Sequence, residues 1–89
     1  MMDYEMFKAV VKENFLRYMP EKYRDAEIRI HPAKKVNRTL DGLSVLPLDD
    51  SRIFPTVYIN EMYEHYQACG DLETVLRKVA QQYAQTAER

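Results

Sequence analysis

The side chains best placed to do chemistry together are Glu61 and His65. Their i, i+4 spacing would put both on one face of a helix, where they could bind one metal ion or exchange a proton. A zinc site needs three or four protein ligands, however, and the second histidine, His31, stands before a proline in a distant segment. The same helical projection places Met62 and Tyr66 on the opposite, apolar face. We therefore interpret Glu61 and His65 as part of a solvated face and predict no metal and no cofactor.

The single cysteine, Cys69, has none of the surrounding motifs that accompany catalytic thiols. It falls on the apolar helix face with Met62 and Tyr66, so we expect a buried structural thiol. One cysteine cannot form an internal disulfide, which favours a reducing, cytoplasmic setting. The chain has only two glycines and therefore lacks a phosphate-binding loop. We predict that the protein is not an enzyme.

Length and composition indicate one globular domain spanning residues 1–89. The chain is 46% apolar and 30% charged, and no apolar run approaches the roughly 18 residues of a membrane span. Its 13 basic and 14 acidic side chains give a formal net charge of −1. A dedicated nucleic-acid-binding protein usually carries a basic excess, so this balance argues against that class.

Apolar periodicity predicts a helix at each end of the chain and a third between them. The first begins at an N-cap, Asp3, and ends at Met19, because Pro20 cannot continue it. The second is capped by Asn60 and ends at Gly70, and the third is capped by Asp71. The apolar stripes of the first and third helices are Tyr4, Phe7, Val11, Phe15 and Tyr18, and Leu72, Val75, Leu76, Val79 and Tyr83.

Between the first two helices, the apolar period shortens to two residues, which is typical of strands. We expect the first hairpin to turn near Asn37, although Asp41-Gly42 is also a strong turn signal. With the turn near Asn37, Gly42 becomes a bulge or a point of close packing. A third strand is expected over 53–59. The predicted fold is α+β, with the order α-β-β-β-α-α and a three-stranded antiparallel sheet packed by helices.

Two surfaces of this fold could bind a partner. The solvent face of the sheet would carry a set of aromatic, aliphatic and small side chains: Phe54, Thr56, Tyr58 and Leu46. Aromatic residues are enriched at protein interfaces, so this set predicts a protein partner. The alternatives are that a helix covers the face or that a second copy does, as a homodimer.

The second surface is a basic cluster on the first hairpin, made of Arg29, His31, Lys34, Lys35 and Arg38. Basic side chains on a β-ribbon can contact phosphates, which would make this a nucleic-acid-binding accessory domain. Lysines also keep an edge strand soluble without binding anything. The slightly acidic balance of the chain favours that second interpretation.

Several segments resemble an uncharacterised family from gut Firmicutes. They are MDYEMFKAVVKENFLRYMPEKYRDAEI, LDGLSV, PTVYINEMYEHYQ and LETVLRKVAQQY, which together span nearly the whole chain. The resemblance is to the N-terminal domain of longer proteins with a domain of unknown function, often in mobile or accessory gene regions. It implies a bacterial source and no reaction.

The order of elements is also similar to that of small phage-borne anti-CRISPR inhibitors. This is an analogy of fold alone, which does not imply function. The expectation is a non-enzymatic protein-binding module, encoded on a mobile element, that inhibits a host defence nuclease such as a CRISPR nuclease by covering its surface.

Overall fold

A computed structural model describes residues 2–47 and 55–87. In chain order the elements are α1 (Tyr4–Asn14), two 3₁₀ helices (Phe15–Tyr18 and Glu21–Tyr23), β1 (Glu27–Lys35), β2 (Arg38–Leu46), β3 (Val57–Tyr58), α2 (Ile59–Cys69) and α3 (Leu72–Ala87). The strands form an antiparallel sheet in the order β1-β2-β3. The predicted α+β fold with the order α-β-β-β-α-α is confirmed. No helix in the described part of the chain has the length and apolar character that a membrane span requires.

The first helix starts where the sequence predicts and ends earlier. The Asp3 carboxylate accepts a hydrogen bond from the Met6 N–H at 2.8 Å, which makes Asp3 the N-cap. The α-helix ends at Asn14, and a 3₁₀ turn continues to Tyr18. Pro20 disfavours the helical conformation at the residue before it, and Met19 is extended, with ψ 162°. The chain therefore tightens its last turn instead of continuing the α-helix.

The hairpin of β1 and β2 turns at Val36 and Asn37, as the first of the two alternatives predicts. The register runs without interruption from the pair Glu27–Leu46 to the pair Lys35–Arg38, so the second alternative, a turn at Asp41-Gly42, is wrong. Gly42 is not a bulge. Val36 has φ 58°, a left-handed conformation that is costly for a β-branched side chain, and it is 89% exposed.

The third strand is shorter than predicted. Among the described residues, only Val57 and Tyr58 pair with β2, and the next residue, Ile59, already begins α2. Pro55 and Thr56 are not in a strand, and Ile53 and Phe54 lie outside the described residues. The prediction that Asn60 caps α2 is wrong, because the N-cap position is Tyr58.

The sheet has two unlike faces because side chains alternate along each strand. The inner face carries Leu43 and Val45, with Ile28 and Ile30 opposite them on β1 and Val57 on β3. The helices pack on this face, and the buried core is the set Phe7, Val11, Phe15, Met19, Tyr23, Leu43, Val45, Ile59, Met62, Tyr66, Val75, Leu76, Ala80, Tyr83 and Ala84. The apolar stripes of α1 and α3 thus supply the core that the sequence predicts.

Polar contacts hold α1 against β2. The Tyr4 hydroxyl donates to the Asp41 carboxylate at 2.6 Å, and the Lys8 ammonium lies 3.7 Å from the same carboxylate. Burial, the bond to Asp41 and the negative charges of Asp41 and Glu5 all raise the pKa of Tyr4. The phenol therefore stays protonated and keeps donating to the carboxylate.

Two side chains complete the edge of β2 that β3 is too short to cover. The N–H of Asp41 donates to the Asn60 side-chain oxygen at 2.8 Å. Two residues on, Leu43 pairs with Val57 of β3. After another two residues, the N–H of Val45 donates to the buried Tyr83 hydroxyl at 3.2 Å. On this side of β2, Asp41 therefore bonds to a side chain, Leu43 pairs with a strand, and Val45 bonds to a side chain.

We predict that Tyr83→Phe lowers the free energy of unfolding at pH 7 by about 1–2 kcal/mol, because the buried Val45 N–H loses its acceptor. Burial raises the pKa of Tyr83 to about 12, above the ordinary value near 10. The folded state thus holds this proton more tightly, so its contribution is complete below pH 10 and is lost between pH 10 and about 12. Urea unfolding at pH 7, 10 and 11.5 would measure both effects.

Tyr18→Phe, which leaves the Val45–Tyr83 bond intact, is the matched control. Equal urea midpoints for Tyr83→Phe and the wild type at pH 7 would contradict the proposed role of the hydroxyl. The alkaline loss of stability should be smaller in Tyr83→Phe than in the control.

Candidate functional site

The solvent side of the sheet, which we call the outer face, gathers most of the residues that the sequence marks for binding. Its members, from the strand register, are Glu27, Arg29, His31, Ala33, Lys35, Arg38, Leu40, Gly42, Ser44, Leu46, Thr56 and Tyr58. None of them belongs to the core cluster beneath the helices. Two sets that the sequence presents as alternatives, one for a protein and one for a nucleic acid, therefore occupy one surface.

Of the predicted binding residues, Phe54 lies outside the described residues and Lys34 is not on this surface. Lys34 pairs with Thr39, so it alternates onto the inner side of the hairpin near the turn. The other predicted residues of both sets share the outer face: Leu46, Thr56, Tyr58, Arg29, His31, Lys35 and Arg38.

Tyr58 is held in place by its neighbours. The Lys35 ammonium lies 5.0 Å from the centre of the Tyr58 ring and also pairs with the Glu61 carboxylate. A cation over an aromatic face is attracted by the electrons of the ring. The three side chains come from β1, β3 and α2, so they tie the hairpin to the start of α2.

A second ordered group lies around Gly42. The His31 Nδ1 is 3.2 Å from the Pro32 carbonyl oxygen, and its Nε2 is 2.9 Å from the Ser44 hydroxyl. Because a carbonyl only accepts, Nδ1 donates to it, and in the neutral ring Nε2 then accepts from Ser44. A Cβ at Gly42 would come within 2.7 Å of the Thr56 methyl and 2.9 Å of the Ala33 Cβ. The predicted close packing at Gly42 is confirmed, and it lets neighbouring side chains meet over the strand.

The charge on the outer face is mixed, with a basic end at the turn. Arg29 pairs with Glu27 at 3.4 Å, and Lys35 pairs with Glu61. Arg38, at the turn, forms no ion pair with any described residue. The turn of the hairpin is therefore the most positive part of this surface.

Glu61 and His65 lie on α2, and both line a cleft with Lys35, Thr56 and Tyr58 of the outer face. His65 is exposed, as predicted, and Glu61 is half-buried in its bond to Lys35. The prediction that Cys69 is buried is wrong, because the thiol is exposed. Gly70, the residue after Cys69, has φ 74° and terminates the helix. No further helical turn therefore extends the apolar face beyond Cys69. Within the described residues, no group of three histidine, cysteine, aspartate or glutamate side chains could hold a metal ion.

A cleft between α2 and α3 was not predicted from the sequence. It has a volume of about 400 Å³, and its lining includes His65, Cys69, Val75, Lys78, Val79 and Gln82. The one related feature of the sequence is Val79, which belongs to the apolar stripe of α3. In the structure this side chain is only half-buried. Periodicity identifies which helix face is apolar, and it does not say how far the next helix covers that face.

The comparisons with known proteins identify a family. The family model described as "Family of unknown function (DUF5688)" matches residues 4–89, so the chain belongs to this family. Neither the search of curated proteins nor the search of solved structures found a match. The predicted membership of a family with a domain of unknown function is thereby confirmed.

We predict that Gly42→Ala destabilises the fold by about 1–3 kcal/mol, because the new methyl group meets close neighbours on the outer face. Thr56→Ser removes the nearest obstructing methyl group. The double variant Gly42→Ala/Thr56→Ser should therefore recover part of the loss relative to Gly42→Ala. Thermal or urea unfolding of the two single variants and the double variant would measure the coupling. Additive effects of the two changes would contradict the proposed contact.

Proposed function

We propose that this chain, as a member of DUF5688, is a non-enzymatic module that binds another protein through the outer face of its sheet. The observation that supports this is the position of Tyr58, Thr56 and Leu46 beside Arg29 and other basic side chains, on a face whose residues are not part of the core cluster beneath the helices. Tyrosine and arginine are the residues that most often dominate the binding energy of protein interfaces. A face that combines them needs no catalytic group to act.

The order of this surface favours binding. Tyr58 is fixed by Lys35, and His31 is fixed by Ser44. A side chain that is already held in one conformation loses little entropy when a partner covers it. The groups that would contact the partner are therefore preorganised by their own neighbours.

The charges favour an acidic partner surface. The hairpin contributes Arg29, Lys35 and Arg38 to the outer face. Only two acidic side chains, Glu27 and Glu61, are paired with these cations among the described residues. The balance is positive and is concentrated at the turn, so an acidic patch on the partner would be attracted and oriented by it.

The more specific form of this proposal is an inhibitor encoded on a mobile element of a gut bacterium. It would act in the cytoplasm by covering the surface of a host defence nuclease, for example a CRISPR nuclease. Its support is the analogy in the order of elements. A surface-covering inhibitor needs only an ordered contact face.

We predict that Tyr58→Ala and Arg38→Glu each weaken binding to the partner at least about tenfold, since each removes a central contact or reverses a charge. Met6→Ala and Arg17→Glu, on other exposed surfaces, are the matched controls. The partner would be captured from bacterial extract, identified by mass spectrometry and purified. It would then be titrated calorimetrically against the wild type and the four variants. Undiminished binding in both Tyr58→Ala and Arg38→Glu would remove the outer face from the proposal.

The alternative function, nucleic-acid binding through the hairpin, is favoured by one observation. Lys34, Lys35 and Arg38 cluster at a two-residue turn whose apolar Val36 is almost fully exposed. Under this alternative, binding to duplex DNA or to RNA should fall steeply as salt rises, because displaced counterions drive the association. Fluorescence anisotropy at 20, 100 and 300 mM salt would test this, with Lys34→Glu as the weakened variant and Arg17→Glu as the control. A flat titration at the lowest salt would exclude it.

A further inference from the structure

The strand β1 has an open edge along its length. It lies at one side of the sheet, with β2 as its only partner strand among the described residues. The N–H groups of Asp41 and Val45 point away from β1, so those of Gly42 and Ser44, which alternate with them, point toward it. In this register the backbone N–H and C=O groups of Arg29 and His31 point toward β2. Those of Ile28 and Ile30 point outward, away from the sheet.

The open edge is limited at both ends. The N–H of Ala26 donates to the Tyr23 carbonyl at 3.0 Å and is not available to another strand. Pro32, which occupies the next outward position after Ile30, has no N–H at all. Within the described residues no other group bonds to the N–H of Ile28 or of Ile30. Between Ala26 and Pro32, the edge therefore offers free donors at Ile28 and Ile30 only.

We propose that a second copy of this chain pairs antiparallel with this edge, centred on Ile28, so that two sheets join into one. Residues 26–30 read Ala-Glu-Ile-Arg-Ile, and this segment is complementary to itself in that register. Ile28 lies opposite Ile28 of the second copy. Glu27 lies opposite Arg29, and Ala26 lies opposite Ile30, in both directions.

The hydrogen bonds of this arrangement use the donors that are free. Ile28 of each copy donates to the Ile28 carbonyl of the other, as a hydrogen-bonded antiparallel pair requires. Ile30 of each copy donates to the Ala26 carbonyl of the other. The Ala26 N–H, which is already occupied, is not needed.

The charges select this register over its neighbours. Glu27 and Arg29 are exposed on the outer face and already form a pair within the strand. In the proposed register each also faces its opposite charge across the new contact, so the four side chains alternate in sign. A register centred on Arg29 would set two arginines against each other. A register centred on Ile30 would place Ile28 opposite Pro32, which cannot donate.

The apolar side of the contact also gains from pairing. Ala26, Ile28 and Ile30 are only half-buried in the single chain, on the inner side of the sheet. A second strand would cover part of their remaining surface, which favours association. The contact shares Arg29 with the proposed function, but it uses the edge of β1 and leaves Tyr58, Thr56 and Leu46 open on each copy.

Charge reversal gives the decisive experiment. The wild type, Glu27→Arg, Arg29→Glu and the double variant Glu27→Arg/Arg29→Glu would be compared by sedimentation equilibrium as full chains. Each single change turns attractive cross-strand pairs into repulsive ones and should weaken dimerisation ~10-fold or more. The double variant restores opposite signs at every position and should dimerise within ~3-fold of the wild type. Arg38→Glu, on the neighbouring strand, is the matched control and should leave the dimer intact.

The backbone can be observed directly. Amide hydrogen exchange by NMR should show protection of Ile28 and Ile30 that rises with protein concentration. Lys34, whose N–H also faces the open edge but lies beyond Pro32, should remain unprotected. A wild type that is monomeric up to ~1 mM would overturn the proposal. Single variants that dimerise like the wild type, or a double variant that does not recover, would overturn it as well.

Discussion

The structure depends on how the backbone of β2 is satisfied on the side where β3 is too short. A buried N–H without an acceptor costs about as much free energy as a lost hydrogen bond. Each N–H of β2 that β3 leaves unpaired therefore needs another acceptor. Asn60 serves Asp41, and Tyr83 serves Val45. These two bonds attach α2 and α3 to positions four residues apart on one strand. The helices are thereby placed on the inner face, and the outer face is left to the sheet's own side chains.

The two faces of the sheet are consequently stabilised in different ways. The inner face is covered by helices and buries Leu43 and Val45 almost completely. The outer face is ordered by local contacts, among them the cation of Lys35 over Tyr58 and the close approach permitted by Gly42. Protein-binding surfaces commonly combine polar and aromatic groups of this kind. The separation of stability and surface chemistry between two faces supports a module that acts by contact.

Sequence patterns predicted the elements whose signals repeat over many residues. The stripes of α1 and α3 and the alternation through Ile28 and Ile30 each rest on several positions, and all were found. The predictions for Asn60 and Cys69, which were wrong, each rested on a single residue. Asn60 has the right side chain for an N-cap, yet it bonds to a donor on β2, because a tertiary partner competes with the local one. Cys69 lies on an apolar helix face, yet the face ends before anything covers it.

The sequence by itself determined the period and order of the main elements and the N-cap of α1, because these follow from interactions between residues that are close along the chain. It also determined the self-complementary segment around Ile28. Only the tertiary structure decided which surfaces coincide. The register between β1 and β2 placed Arg29 and Tyr58 on one face, and the shortness of β3 made Tyr83 a backbone partner. Such contacts join residues far apart in the chain, and their geometry is set by packing, which no local pattern encodes.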